Sequence, residues 1–313
     1  MIPGGNWTHL TEFILLGLTD EPALQVPLFI FFLLVYIITL QCNIGIIVLV
    51  WFNHHLHTPM YFLLCCLSFV DAAVSSVTVP KMLVDFVSEK KTISFAGCAI
   101  QMFSSFLIGG SEVTILAVMA YDRYTAICNP LLYPVIMSNR VCTCLIATVV
   151  GINLSNALTH AILTFTLPFC RSNIITHYAC DVPPVLKIAC IDTSLNELLL
   201  VLLSGGIILT SLIVILISYG FIIVAIIKIN SSEGRWRAFS TCSSHFVCVI
   251  IFYGTLIFMY ATPSSGLSMT RDRVVSVFYM VIIPMLNPLI YSLRNQEIKQ
   301  ALRKGIRGTH PSR

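Results

Sequence analysis

The chain has 313 residues, of which 57% are hydrophobic and 10% are charged, and its formal net charge is +4 at pH 7. Soluble globular proteins carry about 25% charged residues, so this composition excludes an ordinary soluble enzyme or binding domain and predicts a membrane protein. The chain contains no repeat, low-complexity tract or linker. We therefore predict one domain over residues 1–313, surrounded by membrane lipid and without a nucleic-acid partner.

Five windows contain no Asp, Glu, Lys or Arg, and each exceeds the roughly 18 residues that a helix needs to cross a bilayer. They are residues 22–70, 141–170, 198–227, 238–270 and 274–293. The first window is long enough for two spans, and the apolar segment before Arg123 adds another. We therefore predict an all-α membrane protein whose seven transmembrane helices lie near residues 25–51, 59–87, 96–126, 141–163, 198–228, 238–262 and 270–292.

Seven spans place the two termini on opposite sides of the membrane. With the N-terminus outside, 11 of the 18 basic residues face the cytoplasm and 7 face outward, a bias that favours this orientation. Residues 1–24 then form an extracellular N-terminus, residues 164–197 a long extracellular loop, and residues 293–313 a cytoplasmic tail. Residues 1–21 lack the basic and apolar regions of a cleavable signal peptide, so we expect the first span to act as its own signal anchor.

Two short motifs fit this orientation. Asn6 begins an Asn-Trp-Thr sequon, which is glycosylated only on the lumenal side; a chance triplet is the alternative. In the tail, Ile298, Ala301, Leu302 and Ile306 share one helical face among basic residues. This spacing predicts a short basic amphipathic helix on the inner leaflet, and a frayed polar tail is the alternative.

Two acids lie inside predicted spans, Asp71 in the second and Glu112 in the third. Intramembrane acids are costly and are candidates for a functional role. Asn43, Ser68 and Asn287 could face them, and hard cations prefer such oxygen ligands, so a structural sodium ion fits the group. A protonated or water-bridged network fits it equally well, and we expect no other metal or cofactor.

The third predicted span closes on Met-Ala-Tyr-Asp-Arg-Tyr at residues 119–124. A helix over the apolar run at residues 100–120 puts Asp122 and Arg123 at the membrane edge, because the charged pair would be costly within lipid. A cytoplasmic partner could bind the charged pair there. An ordinary charged helix end is the alternative for the pair alone, so its neighbours carry more weight.

The string from Met119 to Cys128 resembles the third-helix signature of rhodopsin-like seven-helix receptors, and its Met-Ala-Tyr-Asp-Arg-Tyr-x-Ala-Ile-Cys form is similar to the odorant receptor branch. Four further stretches agree with that branch in the family order: Leu-His-Thr-Pro-Met-Tyr-Phe at 56–62, Cys-Asp-Val-Pro-Pro at 180–184, Ala-Phe-Ser-Thr-Cys-Ser-Ser-His at 238–245, and Pro-Met-Leu-Asn-Pro-Leu-Ile-Tyr at 284–291. The resemblance covers residues 12–306. Cys42 departs from it, because the branch usually has glycine there.

The resemblance implies an odorant receptor of the rhodopsin-like G-protein-coupled class, and not an enzyme. Such a receptor binds a small volatile odorant and activates a stimulatory, olfactory-type heterotrimeric G protein to raise cAMP. It lies in the plasma membrane, in the cilia of olfactory sensory neurons. A transporter or channel would instead predict inverted repeats or a charged pore, and an intramembrane hydrolase His-Glu-x-x-His or Gly-x-Ser-x-Gly; the sequence contains none of these.

Four cysteines fall in outer segments, where an oxidising compartment permits disulfides: Cys98, Cys170, Cys180 and Cys190. Four cysteines allow three pairings. The resemblance implies Cys98 with Cys180, and Cys170 would then pair with Cys190. It also implies that the loop at residues 164–197 is a lid over the ligand.

Pro284 and Pro288 lie four residues apart in the seventh span, where each removes a backbone donor and can kink the helix. Asn287 is placed to satisfy a freed carbonyl. A static packing kink is the alternative, and the resemblance favours a switch in which two tyrosines approach Arg123 in the active state. The predicted coupling residues are Asp122, Arg123, Tyr124, His245 and the two tyrosines, Tyr219 and Tyr291.

The outer half of the bundle is the predicted ligand site. Small residues at helical spacing leave room for a ligand there, although close helix packing through small residues is a serious alternative. The lining has hydroxyl groups but no charge above Glu112, so it suits a small, neutral, largely apolar molecule with one hydrogen-bonding group. The predicted contacts are Met102, Ser105, Phe106, Gly109, Gly110, Ser204, Ile207, Tyr253, Leu256, Ile257, Tyr260 and Met280.

Overall fold

The computed structural model describes residues 11–19, 21–170, 172–261, 268–295 and 297–301. The side chains of residues 237, 241, 258–261, 268–272 and 292–294 also lie outside the description. Three predicted features fall wholly or partly on such residues: the sequon at Asn6, the side chain of Tyr260, and Leu302 and Ile306 of the predicted amphipathic helix.

Within the described residues, long helices occupy the seven predicted spans, with bounds that agree to within a few residues. The uninterrupted ones are Pro22–Phe52, Pro59–Val87, Phe95–Cys128, Asn139–Phe165 and Ser232–Ala261, which are the first four spans and the sixth. Six helices are long and apolar enough to cross a membrane. The sixth span makes a seventh if its two parts, Ser232–Ser240 and Cys242–Ile257, which bend by 46°, count as one.

The fifth and seventh spans are each interrupted by a π-helical turn. The fifth comprises Ser194–Leu199, the π-turn Leu200–Ser204 and Gly205–Lys228. The seventh comprises Ser268–Val277, the π-turn Phe278–Ile282 and Ile283–Arg294. A π-turn shifts the hydrogen-bond register to i→i+5 and so changes the direction of the side chains around it. Hydropathy does not register this shift, so the sequence analysis predicted neither π-turn, although it predicted a proline kink in the seventh span.

The bundle is apolar on its outer surface and holds its polar groups inside. Val201, Leu216 and Phe221 are large apolar side chains of the fifth span, and each is more than half exposed. Asn43 and Asn153, by contrast, are fully buried. This distribution is expected of a chain surrounded by lipid, where helices associate through packing and interhelical hydrogen bonds.

The connections at the cytoplasmic side contain short helical segments. A 3₁₀ turn, His54–Leu56, follows the first span, and a short helix, Tyr133–Ile136, follows the third. Residues 297–301 are helical, and Ile298 and Ala301, two of the four residues on the predicted apolar face, are each only 1% exposed because they pack against the bundle. The Tyr61 hydroxyl of the second span donates to Glu297 over 2.7 Å and so ties this segment to the bundle.

A three-stranded sheet covers the outer end of the bundle. Its strands are β1 (Glu12–Leu15), β2 (Thr92–Ser94) and β3 (Ile174–Ile175). The N-terminal strand β1 lies in the middle, antiparallel to β2 and parallel to β3. The sequence analysis did not predict this sheet, because strands of two to four residues are too short for a period-two pattern to be recognised.

The three-stranded sheet forms a cap over the outer end of the bundle. Strand β1 packs into this cap through Phe13, which is fully buried. Its ring lies 5.8 Å from that of Phe95 and 5.6 Å from that of Phe169. The turn after β1 depends on Gly17, whose φ of 71° favours glycine. Lys91 donates to the Thr19 carbonyl over 3.1 Å, on the far side of that turn. Strand β1 and the turn that follows it are therefore a structural part of the cap.

Replacing Phe13 with alanine should destabilise the cap, because truncating a buried phenylalanine typically costs about 3–5 kcal/mol. We expect lower surface expression and a lower melting temperature for the detergent-purified protein. Ile174→Ala is the matched control, since Ile174 belongs to the same sheet but is 41% exposed. Equal stability of the Phe13→Ala and control variants would show that the strand does not hold the cap together.

The long outer loop is folded. It contains β3 and a short helix, Val182–Leu186. A disulfide joins Cys98 at the start of the third span to Cys180 in the loop, with a Cα–Cα distance of 5.4 Å. A second joins Cys170 to Cys190 within the loop, at 5.6 Å. Both pairings match those that the resemblance implied.

Candidate functional site

The cytoplasmic end of the third span carries a buried ion pair. The Arg123 guanidinium lies 3.7 Å from Asp122 Oδ2, and the two side chains are 6% and 1% exposed. Tyr61, Tyr219 and Tyr291 lie close enough to Arg123 to interact with it electrostatically. The structure thus gathers Arg123 and the two predicted tyrosines, together with Tyr61, which the sequence analysis had not placed there.

His245 connects three spans beside this ion pair. Its Nε2 lies 3.0 Å from the Leu116 carbonyl of the third span, and its Nδ1 lies 2.8 Å from the Tyr219 hydroxyl of the fifth. A carbonyl only accepts, so Nε2 carries the proton, and Tyr219 donates to Nδ1. A neutral His245 therefore holds the sixth span against its neighbours, and an outward movement of that span must break both hydrogen bonds.

Asp122 has a second partner that the sequence analysis missed. Tyr133, in the short helix after the third span, donates to Asp122 Oδ1 over 2.8 Å. Burial, followed by the nearby Asp122 charge, raises the pKa of Tyr133 above its ordinary value, so it remains a neutral donor. The hydrogen bond between Tyr133 and Asp122 joins the end of the third span to the short helix that follows it, eleven residues later. Composition alone gave no reason to expect this contact.

Tyr124 lies apart from this group. Its ring is half-buried and packs 5.6 Å from Phe221 of the fifth span, a residue that is 56% exposed. Of the predicted coupling residues, Tyr124 is thus directed toward the outer surface of the bundle, while the others point inward.

The two intramembrane acids meet in the middle of the bundle. Asp71 and Glu112 are 1% and 2% exposed and interact directly. Asn287 donates to both oxygens of Asp71, over 3.2 and 3.3 Å. Glu112 Oε1 has no hydrogen-bond partner among the described residues. Two adjacent carboxyl groups cannot both be charged without a compensating cation, so the site needs a shared proton or a bound cation.

Asn43 satisfies the carbonyl that the proline kink leaves free. Pro288 has no N–H, so the Pro284 carbonyl four residues earlier loses its helical donor. Asn43 Nδ2 donates to that carbonyl over 3.0 Å. The prediction that Asn287 fills this role is therefore wrong, because its amide is directed at Asp71 instead.

Gly109 and Gly110 play different roles in the third span. A Cβ built on Gly110 would lie 2.2 Å from Asn153 Oδ1 of the fourth span, whereas one on Gly109 meets nothing within 4 Å. Asn153 also donates to Thr114 over 3.1 Å, so the third and fourth spans are in close contact here. Gly110 therefore serves helix packing, the alternative reading, and Gly109 borders open space.

Other predicted ligand contacts on the third and fifth spans line the same outer region. Phe106 packs against His160 of the fourth span, with ring centroids 4.8 Å apart and the ring planes tilted by 35°. Ser105 uses its hydroxyl on its own helix, donating to the Gln101 carbonyl over 2.8 Å. Met102 is fully buried beneath the cap. Ser204 and Ile207 are half-buried at the start of the fifth span.

The sixth and seventh spans bring fewer of the predicted contacts inward. Tyr253 is 4% exposed, and its hydroxyl makes no hydrogen bond within the described part of the chain, although Ser211 of the fifth span lies near it. Leu256 is half-buried. Ile257, at the edge of that face, is 57% exposed, so the structure puts it on the outside of the bundle. Met280 packs with the first and second spans, away from the third.

A cavity of about 520 Å³ lies nearer the surface, between the loop helix and the start of the fifth span. Leu186, Leu200 and Val201 line it, together with the charged side chains of Lys187 and Glu197. None of the predicted ligand contacts belongs to its lining. The charged side chains of this cavity do not suit a neutral apolar ligand. Leu200 in its lining is also the first residue of the π-turn that ends at Ser204.

Comparisons with known proteins agree on one family. The family model described as Olfactory receptor matches residues 32–307. Olfactory receptor 5AP2 of Mus musculus is 53% identical over 305 residues, which cover 97% of this chain and 96% of that protein. Olfactory receptor-like protein COR5 of Gallus gallus is 50% identical over 302 residues, covering 96% and 97%.

The same fold occurs among solved structures. Squid rhodopsin superposes on this chain with a TM-score of 0.69, over 97% of this chain and 84% of its own. The sequence identity is 19%, so the likeness concerns the fold alone. Together with the observed helices, it confirms the prediction of a seven-helix membrane bundle.

Proposed function

Because this chain belongs to the olfactory receptor family, we propose that small, neutral, largely apolar odorants activate it, and that it then activates a stimulatory, olfactory-type heterotrimeric G protein to raise cAMP. The chain is a receptor, not an enzyme, and a multi-pass membrane protein. We further propose that it resides in the plasma membrane, in olfactory cilia.

The coupling proposal rests on the group of buried side chains around Arg123 at the cytoplasmic end of the bundle, which we call the inner cluster. Arg123 is held beside Asp122 at 3.7 Å, and His245 ties the sixth span to the Leu116 carbonyl and to Tyr219. Movement of the sixth span would break the His245 hydrogen bonds and open a cavity beside Arg123 for a cytoplasmic partner. A ligand shifts this equilibrium only by binding the open state more tightly.

Ligand binding is proposed in the outer half of the bundle, next to Gly109 and Tyr253. The buried Tyr253 hydroxyl has no hydrogen-bond partner among described residues, and leaving such a group unpaired costs about 1–3 kcal/mol. A ligand oxygen would satisfy it. This supports a small, mostly apolar ligand with one polar group.

The pair Asp71 and Glu112 is proposed to hold either a sodium ion or a shared proton. Among the described residues, no cluster of three or more His, Cys, Asp or Glu side chains could hold a metal ion. A weakly bound sodium ion, which takes carbonyl and hydroxyl oxygens as well, is compatible with that finding. The Asn43 and Ser75 side-chain oxygens, which are buried and have no hydrogen-bond partner among the described residues, are candidate further ligands.

The proposed function is tested with cells that express the full chain and a cAMP reporter. A broad panel of volatile alcohols, aldehydes, ketones, esters and hydrocarbons should contain agonists that raise cAMP. The response should disappear in matched cells that lack stimulatory Gα subunits. Ligand-evoked ion flux that persists in those cells would contradict the proposal and favour a channel.

The two neighbouring glycines give a matched test of the ligand position. Gly109→Leu fills open space, and we expect the potency of agonists to fall about tenfold or more, as overpacking of about 1–3 kcal/mol implies. Gly110→Ala should instead reduce surface expression, because its Cβ would clash with Asn153. Dose–response curves corrected for surface expression decide the matter. Unchanged potency in Gly109→Leu would place the ligand elsewhere.

A further inference from the structure

A chain of buried polar side chains links the fourth and fifth spans. Asn156 Nδ2 donates to Ser204 Oγ over 3.1 Å, and Ser204 Oγ lies 3.2 Å from His160 Nε2. His160 is 2% exposed and Asn156 7% exposed. Neither residue was among the predicted ligand contacts, since the fourth span carried no motif that pointed to a ligand.

The hydrogen bonds of Ser204 bear on the state of His160. Ser204 has a single proton, which it can donate to Asn156 Oδ1 at 3.3 Å or to His160 Nε2 at 3.2 Å. When the proton goes to His160, Nε2 accepts it and the His160 proton lies on Nδ1.

The surroundings of His160 belong to the outer half of the bundle. Phe106 of the third span covers one face of the imidazole, at 4.8 Å between ring centroids. Gly205, next to Ser204, meets nothing within 4 Å of an added Cβ, and the same holds for Gly109. The π-turn that ends at Ser204 turns this hydroxyl toward the fourth span, and π-turns are frequent at functional sites.

We propose that His160, oriented by Ser204 and Asn156, is the polar end of the ligand site and selects ligands that carry a hydrogen-bond-accepting oxygen. The inference rests on the proposed function, and it specifies the ligand class. In the tautomer that carries its proton on Nδ1, His160 would donate a hydrogen bond to an aldehyde, ketone or ester oxygen and so stabilise the complex. Phe106 would contact the apolar body of the same ligand.

The competing role for these residues is structural. Polar side chains that bond across helices hold transmembrane bundles together without any ligand. A structural role predicts that their replacement lowers surface expression, or lowers the potency of all agonists equally. The proposed role predicts that potency changes according to the ligand's oxygen, so ratios between ligands of equal carbon number separate the two roles.

The test uses the full chain in cells, with octanal, octanol, octane, cyclooctanone and cyclooctane as probes and cAMP as the readout. His160→Phe keeps the ring that packs on Phe106 and removes both nitrogens. Thr159→Val is the matched control, since among the described residues the Thr159 hydroxyl bonds only to the Ser155 carbonyl of its own helix. Ser204→Ala is a milder second variant, because it removes the group that orients His160.

We expect His160→Phe to raise the EC50 of octanal and cyclooctanone about three- to tenfold, the loss of one hydrogen bond, with the hydrocarbons unchanged. Ser204→Ala should shift the same ligands less, and it decides the matter if His160→Phe does not reach the surface. An equal shift for oxygenated and hydrocarbon probes, or a shift confined to octanol, would overturn the proposal. A wild-type response to hydrocarbons alone, or a broad-panel screen whose agonists all lack an accepting oxygen, would overturn it too, whereas a broad panel without any agonist would count against the proposed function itself.

Discussion

Replacing Arg123 with alanine is expected to abolish ligand-evoked cAMP while the receptor remains at the cell surface. The guanidinium is 6% exposed and lies at the centre of the inner cluster, where it would meet the G protein. Removing one partner of a buried charge contact at an interface typically costs about 2–5 kcal/mol, which is about thirtyfold to a few thousandfold in affinity. The fold should survive, because Asp122 keeps its hydrogen bond from Tyr133.

Arg140→Ala is the control for this prediction, since Arg140 is an exposed basic residue at the cytoplasmic end of the fourth span. Its loss should leave the dose–response curve within about twofold of wild type, as expected for a surface substitution. The measurement is cAMP against odorant concentration, normalised to receptor at the surface. Normal signalling in Arg123→Ala would remove Arg123 from the coupling mechanism.

Loss of the Cys98–Cys180 disulfide should cost about 2–5 kcal/mol and retain the receptor in the endoplasmic reticulum. This bond closes a separation of 82 residues, and Cys170–Cys190 closes one of 20. Chain entropy in the unfolded state therefore predicts that Cys98→Ser is more damaging than Cys170→Ser, by about 1 kcal/mol. Surface expression and thermal stability in detergent are the measurements.

A double substitution tests the same bond more strictly. Once either cysteine is lost the bond is gone, so the double variant of Cys98 and Cys180 should be no less stable than either single variant. Cys144→Ser, at an exposed free cysteine, is the neutral control. If the stability losses of the two single variants add up in the double variant, each cysteine acts separately. Full surface expression of both single variants would show that the bond is dispensable.

The membrane architecture was predictable because lipid imposes a simple rule on the sequence. A spanning helix must be predominantly apolar over about 18 residues, and each of the charge-free windows coincides with one or two long helices in the described structure. Asp71 and Asn287 also met as expected, since both are polar groups that lipid excludes. The same rule leaves the inner and outer ends undetermined, because water can satisfy polar backbone there.

The missed features depend on contacts between distant short segments. β1 is stable only as the middle strand between two loops that lie far from it in the chain. Asn43 donates to the carbonyl of Pro284, which lies 241 positions away in the sequence. A sequence does not specify which amide side chain will donate to a carbonyl that has lost its helical donor. Gly109 and Gly110 are the same residue type at adjacent positions. Only the packing of Asn153 against Gly110 distinguishes their roles.

The central claim is that an odorant bound to this chain drives nucleotide exchange on a G protein, and purified components test it most directly. The full-length receptor in lipid nanodiscs would be mixed with a purified stimulatory, olfactory-type heterotrimer, and GTP analogue binding to Gα would be followed with and without an agonist from the cellular screen. We predict that the agonist accelerates exchange with the wild-type receptor and has no effect with Arg123→Ala. Agonist binding to the wild-type receptor without any acceleration of exchange would contradict the account.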